Sequence, residues 1–142
     1  MNYPQNSALL FSPPGDENGS PFYYAHDIFK LTLNTELVVL SACESSEKRL
    51  LGLQGLRGIT ASFRHSGVQA MMVGMWPVDE HSSQLIPIFY REHKTHPRIS
   101  FSSALRSAKL KLMKKTAVLE NGLKISFSHP FLWGNYILYN FK

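Results

Sequence analysis

The residue best suited to covalent chemistry in this sequence is its single cysteine, Cys43. It follows an apolar run of Leu and Val and opens a small polar stretch, residues 41–46. A thiol attacks a carbonyl as the thiolate, which needs partial exposure and a nearby imidazole or other positive charge. A strand end gives exposure, but free cysteine is also among the most buried residue types. The pattern alone leaves Cys43 either a nucleophile or a packing residue.

Six histidines could serve as the partner base. Only His81 follows a predicted strand end, and its ordinary interpretation is a solvated residue at the start of a helix. His93 and His96 are three residues apart with no other clustered ligand, which favours a solvated helix end over a metal pair. No P-loop, dinucleotide fingerprint or serine nucleophile elbow is present. We therefore expect no metal and no cofactor.

Length and composition indicate one soluble domain over residues 1–142, with 44% hydrophobic and 18% charged residues. One cysteine excludes an internal disulfide and suits a reducing compartment, so a cytoplasmic protein is expected. The apolar runs are too short to span a membrane. The net charge is +5, and the positively charged residues are scattered except in "KLKLMKK". Such a cluster is typical of a solvated helix face, so no nucleic-acid partner is expected.

The hydrophobic pattern predicts an alternation of strands and helices. The predicted elements are a strand at 8–11 with a short hairpin partner, a short helix from Asp27 to Asn34, a central strand in "ELVVLSA", an amphipathic helix ending at Gly67, a buried strand in "VQAMMVGMW", a helix with an irregular start near Pro87, a helix capped by Ser102 or Ser103, and a last strand at 135–141. This order indicates an α/β fold with a mostly parallel sheet and helices on both faces. The carboxyl ends of its strands would bring Cys43 and the segment from Trp76 to Asp79 to one edge.

Several stretches together resemble one family, the CHAT domain, a bacterial branch of the caspase-like cysteine peptidases. They are "LVVLSACES", "QGLRGITASFRHSGVQAMMVGMWPVDE", "IPIFYREH", "ALRSAKLKL" and "HPFLWGNYIL", in the family's order and spacing over nearly the whole chain. The departures are Gln54 for a Glu, residues 66–68 for Ala-Gly-Ala, and Gly134 for the usual Ala after the tryptophan. The resemblance implies a caspase-like layered fold.

The resemblance also implies roles for individual residues. Cys43 matches the nucleophile, whose backbone N–H would help hold the oxyanion. The matched neighbours that border the substrate cleft are Ser41, Ala42, Glu44, Trp76, Val78 and Asp79. The acidic members, Glu44 and Asp79, hint at a basic side chain before the cleaved bond.

The family's general base is a His-Gly pair at the end of the preceding strand, and it would fall just before Met1. The sequence is thus expected to be a domain incomplete at its N-terminal side, with an open sheet edge that a partner chain or a second copy would cover. The resemblance implies a cysteine endopeptidase acting on protein or peptide substrates, inactive as this isolated chain. The alternative is a non-catalytic interaction module with the same fold.

Overall fold

The structure is a computed structural model that describes residues 7–11, 20–41, 52–76, 80–118 and 121–142. The described chain is a mixed α/β structure with small sheets, which confirms the predicted class at that level. Its elements are β1 (Ala8–Leu10), β2 (Phe22–Tyr24), α1 (Ala25–Phe29), β3 (Leu37–Leu40), α2 (Gly52–His65), β4 (Ala70–Gly74), α3 (Glu80–Ser83), α4 (Leu85–Thr95), α5 (Phe101–Met113), β5 (Thr116–Val118), β6 (Lys124–Ser126), α6 (Pro130–Trp133) and β7 (Tyr136–Asn140).

The chain divides into two compact units. The first unit contains residues 1–38, 46–71 and 139–142, and the second contains residues 39–45 and 72–138. None of the helices in the described ranges is both long and apolar enough to cross a membrane.

The first unit begins with the predicted hairpin. β1 and β2 pair antiparallel, with Ala8 opposite Tyr24. Helix α1 follows at once, because the Tyr24 backbone N–H donates to the Asp27 carboxylate and so satisfies a donor at the helix start. The helix buries Ile28 completely and packs against α2. It ends at Phe29, five residues earlier than the sequence pattern predicted.

Helix α2 ends at His65, two residues before Gly67, which the sequence predicted to end it. Ile59 and Phe63, four residues apart, are buried on one face. Gly67 has φ +99°, a left-handed conformation that costs glycine little, and a Cβ there would overlap the Leu33 carbonyl oxygen. The Leu33 backbone N–H also donates to the Ser66 carbonyl at 2.6 Å, so this turn is fixed tightly to the chain that leads into β3.

The principal sheet has the strand order β3–β4–β7. β4 is central, and its residues from Ala70 to Val73 are buried. β3 was expected to be central, and this was wrong for the described sheet: β3 is an edge strand, and all four of its residues are only partly buried. A continuous apolar run indicates strand structure, but it does not say how many neighbours the strand has.

The strand directions follow from hydrogen bonds just outside the strands. The Leu33 backbone N–H donates to the Ser66 carbonyl, and further along both segments the Gln69 N–H donates to the Thr35 carbonyl at 3.0 Å. Because residue numbers increase together in the two segments, β3 and β4 run in the same direction. The start of β7 lies beside the end of β4, and Phe141 at its other end donates to Gln69 at 2.9 Å. β7 is therefore antiparallel to β4, and only one of the two pairings in this sheet is parallel.

The second unit contains helices α3 to α6. The irregular start near Pro87 is confirmed, because α3 and α4 are separated by a break at Gln84 and Pro87 lies in the first turn of α4. The predicted cap of α5 was wrong by two or three residues: Ser100 is the N-cap, and its hydroxyl accepts from the Ser103 backbone N–H. The two later serines compete poorly because Phe101 already begins the helix.

Helices α4 and α5 pack together around a buried carboxylate. The Glu92 side chain is 7% exposed and pairs with Lys111, while Ser107 donates to its other oxygen at 2.7 Å. The hydrogen bond from Lys111 has the larger effect and that from Ser107 the smaller, and together they lower the pKa of Glu92 below its ordinary value of 4.5. The hairpin of β5 and β6, antiparallel with Ala117 opposite Ile125, was absent from the sequence prediction.

Candidate active site

The best-positioned residue of the predicted cleft is Ser41, which directly follows β3. Its hydroxyl oxygen lies 2.7 Å from the hydroxyl oxygen of Tyr136, and either group can donate. Tyr136 is completely buried at the start of β7. The residue two positions before Cys43 is therefore held by a side chain that itself cannot move freely.

The end of β4 is fixed to the same part of the chain. The Met75 backbone N–H donates to the Asn135 carbonyl at 2.7 Å. The Trp76 indole N–H donates to the Phe131 carbonyl at 3.1 Å, and the two rings stack with centroids 6.0 Å apart. Ser41 and Trp76, both predicted to border the cleft, thus contact neighbouring parts of one segment, residues 131–136.

Gly134 explains one departure from the family pattern. A Cβ at this position would lie 2.8 Å from the Pro130 carbonyl oxygen and 3.4 Å from the Trp76 ring. Its backbone is right-handed, with φ −84°, so the glycine is needed for close approach and not for an unusual backbone angle. The absent methyl group leaves room for the indole to lie close to the end of α6.

A lysine that sequence reasoning missed also contacts this segment. Lys109 of α5 is half-buried and donates from its Nζ to the Tyr136 carbonyl at 2.8 Å. Burial lowers the pKa of Lys109. The signal was available: Lys109 is four residues after Leu105 and next to Ala108, both of which belong to the buried face of α5.

Asn135 carries an unused polar group in the same place. Its side chain is completely buried, and neither its amide nitrogen nor its amide oxygen has a hydrogen-bond partner in the described parts of the chain. Buried polar groups are nearly always paired, so an unpaired carboxamide is costly. The segment 134–136 therefore combines a tight glycine contact, an unsatisfied amide and the tyrosine that holds Ser41.

Among the described histidines, only His129 is hydrogen-bonded to the segment 131–136, and none is hydrogen-bonded to Ser41, Trp76 or Tyr136. Within the second unit, the His96 ring contacts the Glu92 carbonyl at 3.3 Å, His129 accepts from Phe131 at the start of α6, and His93 packs on Phe101. The structure does not describe the side chain of His81. The described residues accordingly offer no imidazole beside Ser41.

Five of the predicted site residues lie outside the described residues: Ala42, Cys43, Glu44, Val78 and Asp79. Ser41 and Trp76 are the two that the structure describes, each one at the boundary of an undescribed segment. Ser41 and Trp76 each contact the segment 131–136, and the predicted grouping of Cys43 with the segment from Trp76 to Asp79 stays a prediction.

Comparison with known proteins assigns the family. The CHAT domain matches residues 1–140, so the chain belongs to the CHAT domain family. Tetratricopeptide repeat protein 28 of mouse is 29% identical over 119 residues, and its human counterpart is 28% identical over the same length. Each alignment covers 80% of this chain and 4% of the relative, so the chain spans only a small part of their length. No solved structure matches. Because these relatives are mammalian, the expected bacterial source has no support from them.

Proposed function

We propose that this chain carries the nucleophile-bearing part of a CHAT-family cysteine endopeptidase, with Cys43 as the attacking residue and a caspase-like layered fold. The observation that carries the proposal is the fixed position of Ser41. Ser41 is the first residue of the Ser-Ala-Cys-Glu sequence by which the chain resembles the peptidases, and it is anchored 2.7 Å from a fully buried tyrosine. The segment that carries Cys43 therefore follows a rigid point at the end of β3.

The proposed chemistry needs a thiolate, an oxyanion site and water. The Cys43 thiolate attacks the peptide carbonyl carbon, and the oxyanion accepts a hydrogen bond from the Cys43 backbone N–H. The intermediate then collapses to an acyl-enzyme, and the released amine takes up the proton that the thiol gave to the base. Water then adds to the acyl carbon, the carbon–sulfur bond breaks, the peptide's new carboxyl end leaves, and a proton from the water returns to the Cys43 sulfur. Because the described residues supply no base beside Ser41, the test below does not depend on one.

Trp76 is proposed to form part of the cleft wall that receives the substrate. Its indole is fixed on one side by Phe131 and by the close approach of Gly134, which leaves a rigid aromatic surface at the end of β4. Aromatic surfaces of this kind bind extended peptides with little loss of conformational entropy. A basic residue before the cleaved bond would suit the acids at positions 44 and 79.

The proposal can be tested on the chain itself because Cys43 is its only cysteine. The alkylation rate of Cys43 is measured with iodoacetamide and with peptidyl chloromethyl ketones that carry a basic, an acidic or an apolar residue next to the reactive group. If a peptide-binding cleft is present, Cys43 reacts with the peptidyl chloromethyl ketones much faster, relative to iodoacetamide, than the free thiol of glutathione does. Unfolding the chain in 6 M urea should abolish this difference. The iodoacetamide rate itself is expected to stay near that of a free thiol.

A matched pair of tryptophan variants shows whether the cleft causes the effect. Trp76 and Trp133 each donate an indole hydrogen bond to a backbone carbonyl at 3.1 Å, but only Trp76 closely follows β4. Trp76→Phe should lower the peptidyl selectivity, and Trp133→Phe should leave it unchanged. A ratio equal to that of glutathione for every peptide would refute the endopeptidase proposal, and equal rates for all three peptides would remove the preference for a basic residue.

The alternative, a protein-interaction module, is favoured by a different observation. The first hairpin exposes large apolar side chains, with Leu10 at 70%, Phe11 at 58% and Phe22 at 47% exposure. Exposed apolar groups of this size often mark contact surfaces. The partly exposed edge of β3 would also allow a partner chain or a second copy to extend the sheet. Under this alternative, Cys43 reacts with peptidyl and small electrophiles in the same ratio as glutathione does.

A further inference from the structure

The first unit contains a cavity of about 820 Å³ that is separate in sequence from the residues around Ser41 and Trp76. Its lining comes from one face of α2, from Phe29 at the end of α1, and from the last residues of β7 together with Phe141. The volume lies within the range of roughly 300 to 1,000 Å³ that is common for ligand pockets. The cavity is thus large enough for several side chains of a bound peptide.

The charge of the cavity wall is positive. Arg57 and Arg64 both line it, and no lining residue is acidic. Neither guanidinium forms an ion pair with a carboxylate in the described ranges. The two arginines are seven residues apart, which is two helical turns, so they project from the same face of α2 about 10.5 Å apart along its axis. Two cations without a counter-ion on a concave wall attract a ligand with two separated negative charges.

Aromatic rings form the apolar part of the cavity. Phe29 and His65 stack with their centroids 3.6 Å apart and their planes 5° from parallel. Tyr139 and Phe141 form a second stack at 6.5 Å. Phe29 is nevertheless 49% exposed, so much of its surface remains available to a further ring.

We propose that this cavity binds an acidic peptide segment that carries an aromatic residue. In an extended peptide alternate side chains share a face, so acidic residues i and i+4 face the same wall about 13 Å apart, at about 3.3 Å per residue, which the long side chains of Arg57 and Arg64 can span. Residue i+2 lies between them on that face and supplies the aromatic ring. The aromatic side chain lies against the exposed face of Phe29. A mononucleotide would place all of its charge at one end and would fit this spacing less well. The site does not depend on Cys43 chemistry.

The proposal is tested by fluorescence polarisation with a fluorescein-labelled peptide, Glu-Asp-Phe-Glu-Asp-Gly, and the 142-residue chain. The matched peptides replace the acids by Gln and Asn, or the Phe by Ala. We expect the acidic aromatic peptide to bind at least tenfold more tightly than the neutral peptide and several-fold more tightly than the Ala peptide. Binding weakens with added salt, because exposed charges contribute to it.

Substitutions in the wall identify the site. Arg57→Ala and Arg64→Ala should each raise Kd about threefold to fivefold, and the double variant roughly tenfold or more, as for exposed ion pairs. Arg106→Ala is the matched control: it removes an exposed arginine of α5, in the second unit, and should change Kd less than twofold. The double Arg→Lys variant keeps both charges and should bind within about threefold of the parent, whatever the Ala variants do to stability.

Any one of four results would overturn the proposal. The neutral peptide binds as tightly as the acidic one, or the double Arg→Ala variant binds like the parent, or Arg106→Ala loses as much affinity as Arg57→Ala. Displacement of the peptide by adenosine monophosphate at lower concentration than by unlabelled peptide would show that the occupant is a nucleotide and not a peptide.

Discussion

The hydrogen bond between Ser41 and Tyr136 can be tested by a double-mutant cycle with Ser41→Ala and Tyr136→Phe. Tyr136 is completely buried, whereas Ser41 is exposed to solvent. Tyr136→Phe leaves the serine hydroxyl to water and should cost about 1 kcal/mol, the net worth of one hydrogen bond. Ser41→Ala strands a buried phenol hydroxyl and should cost more, about 1–3 kcal/mol. The serine variant is therefore expected to be the more destabilised, although it removes the smaller and more exposed group.

The cycle isolates the bond itself. Each free energy of unfolding is measured by urea titration, and the double variant should be more stable than the sum of the single effects predicts, by about 1 kcal/mol. Tyr90→Phe removes a hydroxyl from a tyrosine that is 49% exposed and should change stability by less than about 0.5 kcal/mol. The iodoacetamide and peptidyl alkylation rates of Cys43 are measured on the same four proteins. A coupling free energy within about 0.3 kcal/mol of zero, or an unchanged peptidyl selectivity in both single variants, would refute the view that this contact positions the segment that carries Cys43.

Three further predictions concern the glycines and the buried carboxylate. Gly67→Ala should destabilise the chain by more than about 3 kcal/mol, because it combines a positive φ with a backbone overlap. Gly122→Ala is the control: its φ is +79° but the space around it is open, so it should cost only about 1 kcal/mol. Equal losses of stability in urea titrations would contradict this prediction. Gly134→Ala should cost about 1–3 kcal/mol by overpacking and shift the tryptophan fluorescence, and an unchanged spectrum would contradict the close approach. The pKa of Glu92 is lowered in the folded state, so this carboxylate contributes stability above pH 4.5 that is lost as the pH falls through the folded value. Glu92→Gln should therefore reduce the fall in unfolding free energy at acid pH. The same fall in both proteins would contradict the prediction.

The sequence predicted those elements whose signal is local. Gly67 ends α2 because a positive φ at a helix end favours glycine, and the four buried residues of β4 form a continuous apolar run. The serine cap of α5 was misplaced because three serines, Ser100, Ser102 and Ser103, surround its start and differ only in backbone conformation. Local composition cannot distinguish them.

The contacts that fix the candidate site were not predictable in the same way. Ser41 and Tyr136 are 95 residues apart in the chain, and nothing in the pattern around either residue indicates the other. The edge position of β3 likewise depends on which strands pair with it and not on its own four residues. The family resemblance supplied the nucleophile position, but only the structure shows what holds the residue beside it.

Three consecutive residues, 134–136, connect the end of the chain to Ser41 and Trp76, the residues that follow β3 and β4. Gly134 allows the close approach of the Trp76 ring, Asn135 accepts a backbone hydrogen bond from the end of β4, and Tyr136 holds Ser41. The Tyr136 carbonyl also receives a hydrogen bond from Lys109 of α5, a half-buried cation whose loss would leave that carbonyl without its side-chain donor. These contacts involve the ends of two neighbouring strands and a helix, so a change in this segment reaches both strand ends at once. Gly134 and Tyr136 are therefore best understood as support for the strand ends and not as a source of reacting groups, and substitutions at these two residues should alter the peptidyl selectivity of Cys43 without changing any residue next to it in the sequence.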